Sequence, residues 1–390
     1  MSGVSVLSSL RYKLPLLALL ILVLTGCAAT RQGTGWAEVS TVGENILVAY
    51  NNHIALVDPG TGRPIPLTDA EGNDREGSNG QALRWQLNAD DAQFYTEPFL
   101  VEDDSFVVAD YNNRLLRVNT RLAELEPRIE TELPGHVIAN PVLADNLLIV
   151  PFTEHDVAAY EADTYDEVWR FETERGVWAS PIVIEDTVYI PSMDHHLYAV
   201  DLATGNLQWE LDLGGAVAAA PLYHDGHFYM GTFTHEVLKV SLEERAIVAE
   251  YGTANWVWNT PVLFDDILYT ADLSGFVYAL DPDDLSEVWD PVRVGSRGIR
   301  PSPIVTEQYV IVGDRGGRVY WIDRASREVI DELTKEAGGE ILSDMVVVER
   351  EIARQGEINT EQLVIVSTVR DSSLLVAYTI DGEDRWTYDR

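Results

Sequence analysis

Four histidines, His53, His155, His195 and His235, are the residues whose type and spacing first suggest chemistry in this 390-residue chain. Imidazole is the commonest metal ligand and a proton shuttle at neutral pH, and the pairs His195-His196 and His224-x-x-His227 add to the impression. A metal, however, holds its ligands about 2 Å away. Residues that recur at one place in successive structural units are a whole unit apart, so the column reads as a turn position with unusual backbone angles. Along a strand, neighbouring side chains point to opposite faces, which also weakens the close pairs. No Gly-x-Ser-x-Gly, no glycine-rich phosphate loop followed by lysine and no Cys/His nucleophile pair is present. The chain is expected to have no catalytic residues, no metal and no cofactor. What remains is a group of binding-type residues, Trp178, Trp256 and Trp258 with Arg297 and Arg300 in "GSRGIRPSP". Tryptophan and arginine dominate binding hot spots, so these five are candidate partner-binding residues. For the tryptophans the alternative is packing between structural units or lining a channel.

The elements that must position these residues are set by an internal repeat. Six segments align on Pro98, Pro141, Pro181, Pro221, Pro261 and Pro303, as in "ANPVLADNLLIVP" and "ASPIVIEDTVYIP". Trp36-Ala37-Glu38-Val39 and Leu342-Ser343-Asp344 begin two further units, giving eight. Insertions near residues 63 to 82 and 349 to 361 read as surface loops. Each unit holds four short apolar runs separated by Asp, Gly or His turns. Strand-rich units of about 40 residues, repeated, predict radial sheets around a channel, a β-propeller. The fold class is therefore all-β, an eight-bladed β-propeller of four-stranded antiparallel blades over residues 36–390. Proline cannot donate to a ladder, so each aligned proline suits an innermost, edge strand. Acidic residues four positions later (Glu102, Asp145, Glu185, Asp225, Asp265 and Glu307) fit hairpin turns better than a cation-binding ring.

One stretch is more specific. In "AVDLATGNLQW" Asp201 and Thr204 can bond a turn backbone, Gly205 supplies a left-handed residue, and Trp209 falls in the outermost strand, where its ring can cover a neighbouring blade. Degenerate copies end at Trp169, Trp289 and Trp386. The pattern resembles the tryptophan-docking repeat of pyrroloquinoline quinone (PQQ)-type propellers. Enzymes of that family hold a quinone over a disulfide of two vicinal cysteines with a calcium ion. This chain has one cysteine, so the resemblance implies the fold without the dehydrogenase.

That cysteine closes an N-terminal leader. Arg11 and Lys13 precede an apolar run, Leu14 to Leu24, too short to span a bilayer. "LTGC" resembles the bacterial lipobox, which implies a signal peptide over 1–26, lipid attachment at Cys27 and a linker over 27–35. The net charge is −37, and such a field opposes nucleic acid. Lipobox, length and repeat together are similar to the BamB family of barrel-assembly lipoproteins. That resemblance implies a monomeric, non-catalytic scaffold of the cell envelope, anchored in the outer membrane facing the periplasm in a two-membrane host, or on the outer face of the plasma membrane otherwise. Its partners would be envelope proteins, including the barrel-assembly subunit, and the membrane through the anchor, with no nucleic acid. The alternative is an envelope sensor or binding propeller for a small molecule, glycan or cation at the channel mouth.

Overall fold

The computed structural model describes residues 36–69, 73–89, 92–102, 105–119, 123–354, 357–369 and 373–389. The leader, Cys27 and the linker lie outside the described residues. Eight antiparallel sheets follow one another along the chain, over residues 38–88, 99–132, 142–172, 182–212, 222–252, 262–293, 304–336 and 346–389. In blade 4 the strands Ile182–Ile184, Thr187–Pro191, His196–Asp201 and Leu207–Asp212 pair in sequence order from the inside out.

The apolar runs in the two middle strands are continuous because both faces of each sheet are covered. In blade 4, Tyr189, Leu197 and Ala199 pack against blade 5, while Val188, Ile190, Tyr198 and Val200 pack against blade 3. Every blade repeats this division, so the molecule has eight cores, each shared by two neighbouring sheets. The eighth core joins the last blade to the first and closes the ring. Among the described residues no strand crosses that seam, and side chains hold it. The Trp386 indole N–H donates to the Pro59 carbonyl at 2.8 Å, the Ser367 hydroxyl to the Ala37 carbonyl at 2.9 Å, and His53 Nε2 lies 2.8 Å from the Tyr388 hydroxyl.

The repeat motif is the device that joins blades. Asp201 Oδ1 accepts from the Thr204 N–H at 2.9 Å and its hydroxyl at 2.6 Å, and Gly205 takes φ 69°. The turn so formed receives the tryptophan of the preceding blade. The Trp169 indole donates to Leu202 O at 2.7 Å, and its ring lies so close to Gly205 that a Cβ there would sit 2.6 Å from it. Trp386 repeats the arrangement on Gly62, and Trp209 reaches the Arg245 guanidinium of the next turn, 5.9 Å from its ring centroid.

Two blades obtain the same contact from another strand. In blade 5, Lys239 and Ala249 stand where blade 4 has Ala199 and Trp209. There the Lys239 ammonium donates to Asp283 O at 3.0 Å, and the Tyr229 hydroxyl donates to Pro282 O at 2.8 Å. In blade 7 the third strand supplies Trp321, whose indole donates to Ile380 O at 2.8 Å.

Three local expectations change. Innermost strands begin one residue after the aligned prolines, at Val142, Ile182, Leu222, Val262 and Ile304, so each proline ends the incoming connection, where no ladder donor is needed. The insertion near 63 to 82 is a laddered excursion, not an open loop: Leu67 N–H donates to Leu83 O and Leu83 N–H to Arg75 O, and the excursion ends by burying Trp85. The insertion at 349 to 361 lengthens a hairpin, Val346–Arg354 against Glu357–Ser367, because its β-branched and alternating residues carry no turn signal before residue 355. The acidic column does form turns: Asp145, Glu185, Asp225 and Asp265 have φ between 44° and 52°.

Replacing Lys239 with Ala removes a buried donor facing a carbonyl and is expected to cost about 1–3 kcal/mol. Adding Ala249→Trp to that variant restores the indole arrangement of blade 4 and is expected to recover most of the loss. Urea denaturation of the three proteins checks both, and a double variant no more stable than Lys239→Ala contradicts the equivalence.

Candidate functional site

The propeller has two unlike faces. One carries the first-to-second and third-to-fourth strand turns just described; the other, the connection face, carries the inter-blade connections and the second-to-third strand turns. In five blades the second of these turns has a left-handed residue at the same place, Asn113 (φ 65°), His195 (φ 78°), His235 (φ 67°), Gly275 (φ 84°) and Gly317 (φ 85°). His53 instead bonds Asn88 Oδ1 at 2.9 Å and the Tyr388 hydroxyl, and His155 bonds Asp156 at 2.8 Å. His155, His195 and His235 are thus distributed, one per blade, whereas His53 stands one place later, opening its third strand as His196 does. Among the described residues no group of three or more His, Cys, Asp or Glu is placed to hold a metal.

The connections bring one set of residues into the channel. Positions three before the aligned prolines carry Trp178, Trp258, Arg300 and, in blade 1, Trp36; positions one before them carry Glu97, Asn140, Ser180, Thr260 and Ser302, with Glu38 and Asp344 their equivalents. These residues line a cavity of about 660 Å³. The Arg300 guanidinium is held between two indoles, 4.2 Å from the Trp36 ring centroid and 4.4 Å from that of Trp258. A cation over an indole face is favoured electrostatically, more so when desolvated. Trp178 and Trp258 lie 6.3 Å apart at 37°. Tyr95 meets Trp36 edge-on at 5.5 Å.

Among the described residues that line the cavity, Arg300 is the one cation and Glu38, Glu97 and Asp344 are the carboxyl groups, of which Glu38 and Asp344 act on it directly. Burial, reinforced by Asp344 and Glu97, pushes the Glu38 carboxyl up to about 8. Burial likewise raises Glu97 and Asp344, and it lowers Arg300 to about 10, still a cation at neutral pH. Asp344 is open to channel water yet ringed by protein, and it accepts from the Ser302 N–H at 2.6 Å and hydroxyl at 3.0 Å. The Glu97 carboxylate accepts from Asn140 Nδ2 at 3.2 Å.

The five candidate residues therefore separate. Trp178, Trp258 and Arg300 belong to the channel. Trp256 and Arg297 are exposed on the connection face. Trp256 is 41% exposed and stacks on Phe233, ring centroids 4.7 Å apart at 10°. Arg297 packs along Gly316, and the exposed Arg315 lies in the adjoining turn, its N–H donating to Gly298 O at 2.9 Å. Arg293 and Arg318 border the same cleft, of about 620 Å³, between blades 6 and 7. The sequence reading missed Arg315, Phe233 and the turn aspartates. Asp272 Oδ1 accepts from the Ser274 and Phe276 N–H groups, and its Oδ2 from the Tyr278 hydroxyl at 2.8 Å; Asp314 does the same for its own turn. An Asp two residues before a small residue and four before a strand was the available signal. These bonds stiffen the turns that flank Trp256 and Arg297.

The arrangement offers a rigid face with an aromatic shelf beside arginines, and a channel whose one cation is sequestered. Eight consecutive antiparallel blades, with an indole or the Lys239–Tyr229 pair laid on the next blade's turn at four junctions, define a PQQ-like β-propeller. A family model described as outer membrane protein assembly factor BamB matches residues 123–244 and 194–389, and the chain belongs to that family. The chain is similar in fold to the crystal structure of BamB from Moraxella catarrhalis, with a TM-score of 0.62 and 15% identity, covering 88% of this chain and 94% of that one. It is equally similar to the computationally designed Ika8 protein, with a TM-score of 0.62 and 10% identity, covering 92% and 98%. No curated protein matches the sequence. A fold shared by a natural protein and a designed one carries no activity by itself.

The raised Glu38 group gives a pH prediction. Between pH 4.5, the ordinary value, and about 8 the folded protein retains a proton that the unfolded chain releases. Its contribution is therefore full below that window and is lost as pH rises through it. Glu38→Gln is expected to match the wild type at pH 5 and to melt at a progressively higher temperature than it from pH 6 to 9. Parallel melting curves across the range would contradict this.

Proposed function

We propose that this protein is a non-catalytic scaffold of the cell envelope that binds another envelope protein through its connection face, in the manner the family description implies for outer membrane β-barrel assembly. The observation that carries the reading is the juxtaposition of Trp256, stacked on Phe233, with exposed Arg297 and Arg315 on a body of net charge −37. Rigid aromatic and guanidinium groups are the residue types that dominate interface energies, and here their backbone is fixed by buried turn aspartates. In this reading Arg300, Trp178 and Trp258 hold the channel wall, from which the connections project. Cys27 carries the lipid that keeps the scaffold at its membrane, and the barrel-forming subunit is the partner.

The channel supports a second reading, because a cavity of about 660 Å³ walled by Trp36, Trp178 and Trp258 with polar groups below has the chemistry of a small-ligand or glycan site. Arg300 fills the gap between two of those indoles, which favours the connection face as the principal surface. Calorimetric titration with cell-wall fragments separates the two, since heat abolished by Trp178→Ala belongs to the channel.

Binding of the purified mature protein to the periplasmic domains of the host's barrel-forming subunit tests the proposal. Trp256→Ala combined with Arg297→Glu is expected to weaken binding at least tenfold, about 1.4 kcal/mol, with Trp178→Ala close to wild type. No binding by the wild type, or equal binding by the double variant, overturns it. Cys27→Ser is expected to move the protein from the membrane fraction to the soluble one.

A further inference from the structure

The long hairpin of blade 8 lies at the opposite face and has no role in the reading above. Regular blades have an innermost strand of three residues and a second strand of five, as in Ile182–Ile184 and Thr187–Pro191. In blade 8 they have nine and eleven. The two pair with each other out to Arg354 and Glu357, whereas the third strand pairs with the second only from Leu363 to Ser367. The Ile380 N–H still donates to Gln362 O at 3.0 Å, and beyond it the third strand has turned away.

Antiparallel ladders alternate which side each residue's N–H and C=O address. Because Gln362 addresses the third strand, Thr360 addresses the same side. No strand among the described residues lies opposite Thr360, so its main-chain donor and acceptor face a groove of about 690 Å³ bounded by the hairpin and the last turn. The base of the hairpin is buttressed. Glu361 accepts from Arg385 at 2.6 Å and from Arg350 at 2.8 Å, and Arg350 also donates to Gly60 O at 2.8 Å. The Arg385 and Arg350 guanidinium groups pull the Glu361 carboxyl down to about 2. The groove rim carries exposed Glu349, Asp381 and Glu383, and its one lining arginine, Arg385, is committed to Glu361 and Glu383.

From the unpaired strand edge at Thr360 beside an acidic groove, we infer a second docking site, which takes an extended segment of a partner protein by strand addition. The segment carries lysine or arginine at alternate positions. Main-chain bonds to Thr360 supply the register, and the carboxylates of the rim supply the charge complement. The site is independent of the connection face, so either can fail alone.

The test uses the full mature protein and a fluorescent acetylated peptide of alternating lysine and valine, about eight residues long. Thr360→Pro removes only the N–H that points into the groove, because that group does not serve the hairpin's own ladder, and an edge strand tolerates proline. Fluorescence anisotropy is expected to show binding that Thr360→Val preserves, that Thr360→Pro weakens at least tenfold at unchanged melting temperature, and that salt reverses. If the proline variant proves unstable, Asp381→Lys with Glu383→Lys provides the same loss without touching the backbone. The inference is overturned by the absence of binding at millimolar peptide, by undiminished binding in these variants, or by equal binding of the same peptide with glutamate in place of lysine.

Discussion

The structure depends on one recurring contact, a side-chain donor laid against the third-to-fourth strand turn of the next blade. A single four-stranded sheet here has two apolar faces and cannot cover either by itself. Each sheet is useful only between neighbours, and the first and last must meet as the others do. At that seam no strand among the described residues is shared, and Trp386 over Gly62, Arg350 on the Gly60 carbonyl and the apolar cluster around Leu363 and Ile365 carry the closure. The contact tolerates a change of donor. Trp169, Trp386, Trp321 and the Lys239–Tyr229 pair all satisfy a carbonyl at equivalent turns. The geometry of the turn is therefore what is maintained.

Closure frees the loops for other work. Once the cores are shared around the ring, the connection face has no packing duty beyond its own turns, and exposed Trp256, Arg297 and Arg315 sit on backbone that buried aspartates hold still. The rim has a different constraint. Every outermost strand presents an open edge, and those edges carry Glu167 and Glu172, Glu210 and Asp212, Glu250, or Glu287 and Asp290. Charge on an edge discourages pairing between molecules, which accounts for part of the chain's acidity. Against such a background the exposed Arg297 and Arg315 on adjoining turns of the connection face are a contrast.

Much of this was legible in the sequence because it is local and periodic. The aligned prolines, the acidic turns and Asp201, Thr204, Gly205 and Trp209 recur at a fixed interval, so blade number and strand order follow from spacing. What could not be read is what depends on residues far apart in the chain. Nothing near Arg300 announces Trp36, which comes from the first blade to complete its clamp. Nothing in the sequence marks Lys239 as the donor of blade 5, because the exchange of donor between adjacent strands is visible only once the strands are paired. The blade 8 insertion was read as a loop since length alone does not distinguish a loop from a hairpin that continues an existing ladder. Trp256 and Trp258, two residues apart in an irregular connection, looked alike; both meet Phe233, but Trp256 stacks on its exposed face while Trp258 reaches the channel.

The central claim is that partner binding belongs to the connection face. Site-specific photo-cross-linking in living cells tests it most directly, with a photoreactive residue placed in turn at Trp256, at Arg297 and at Val168 on the rim. The account predicts a discrete adduct with one envelope protein from positions 256 and 297 and none from 168. Adducts from the rim position alone, or none from the connection face, would contradict it.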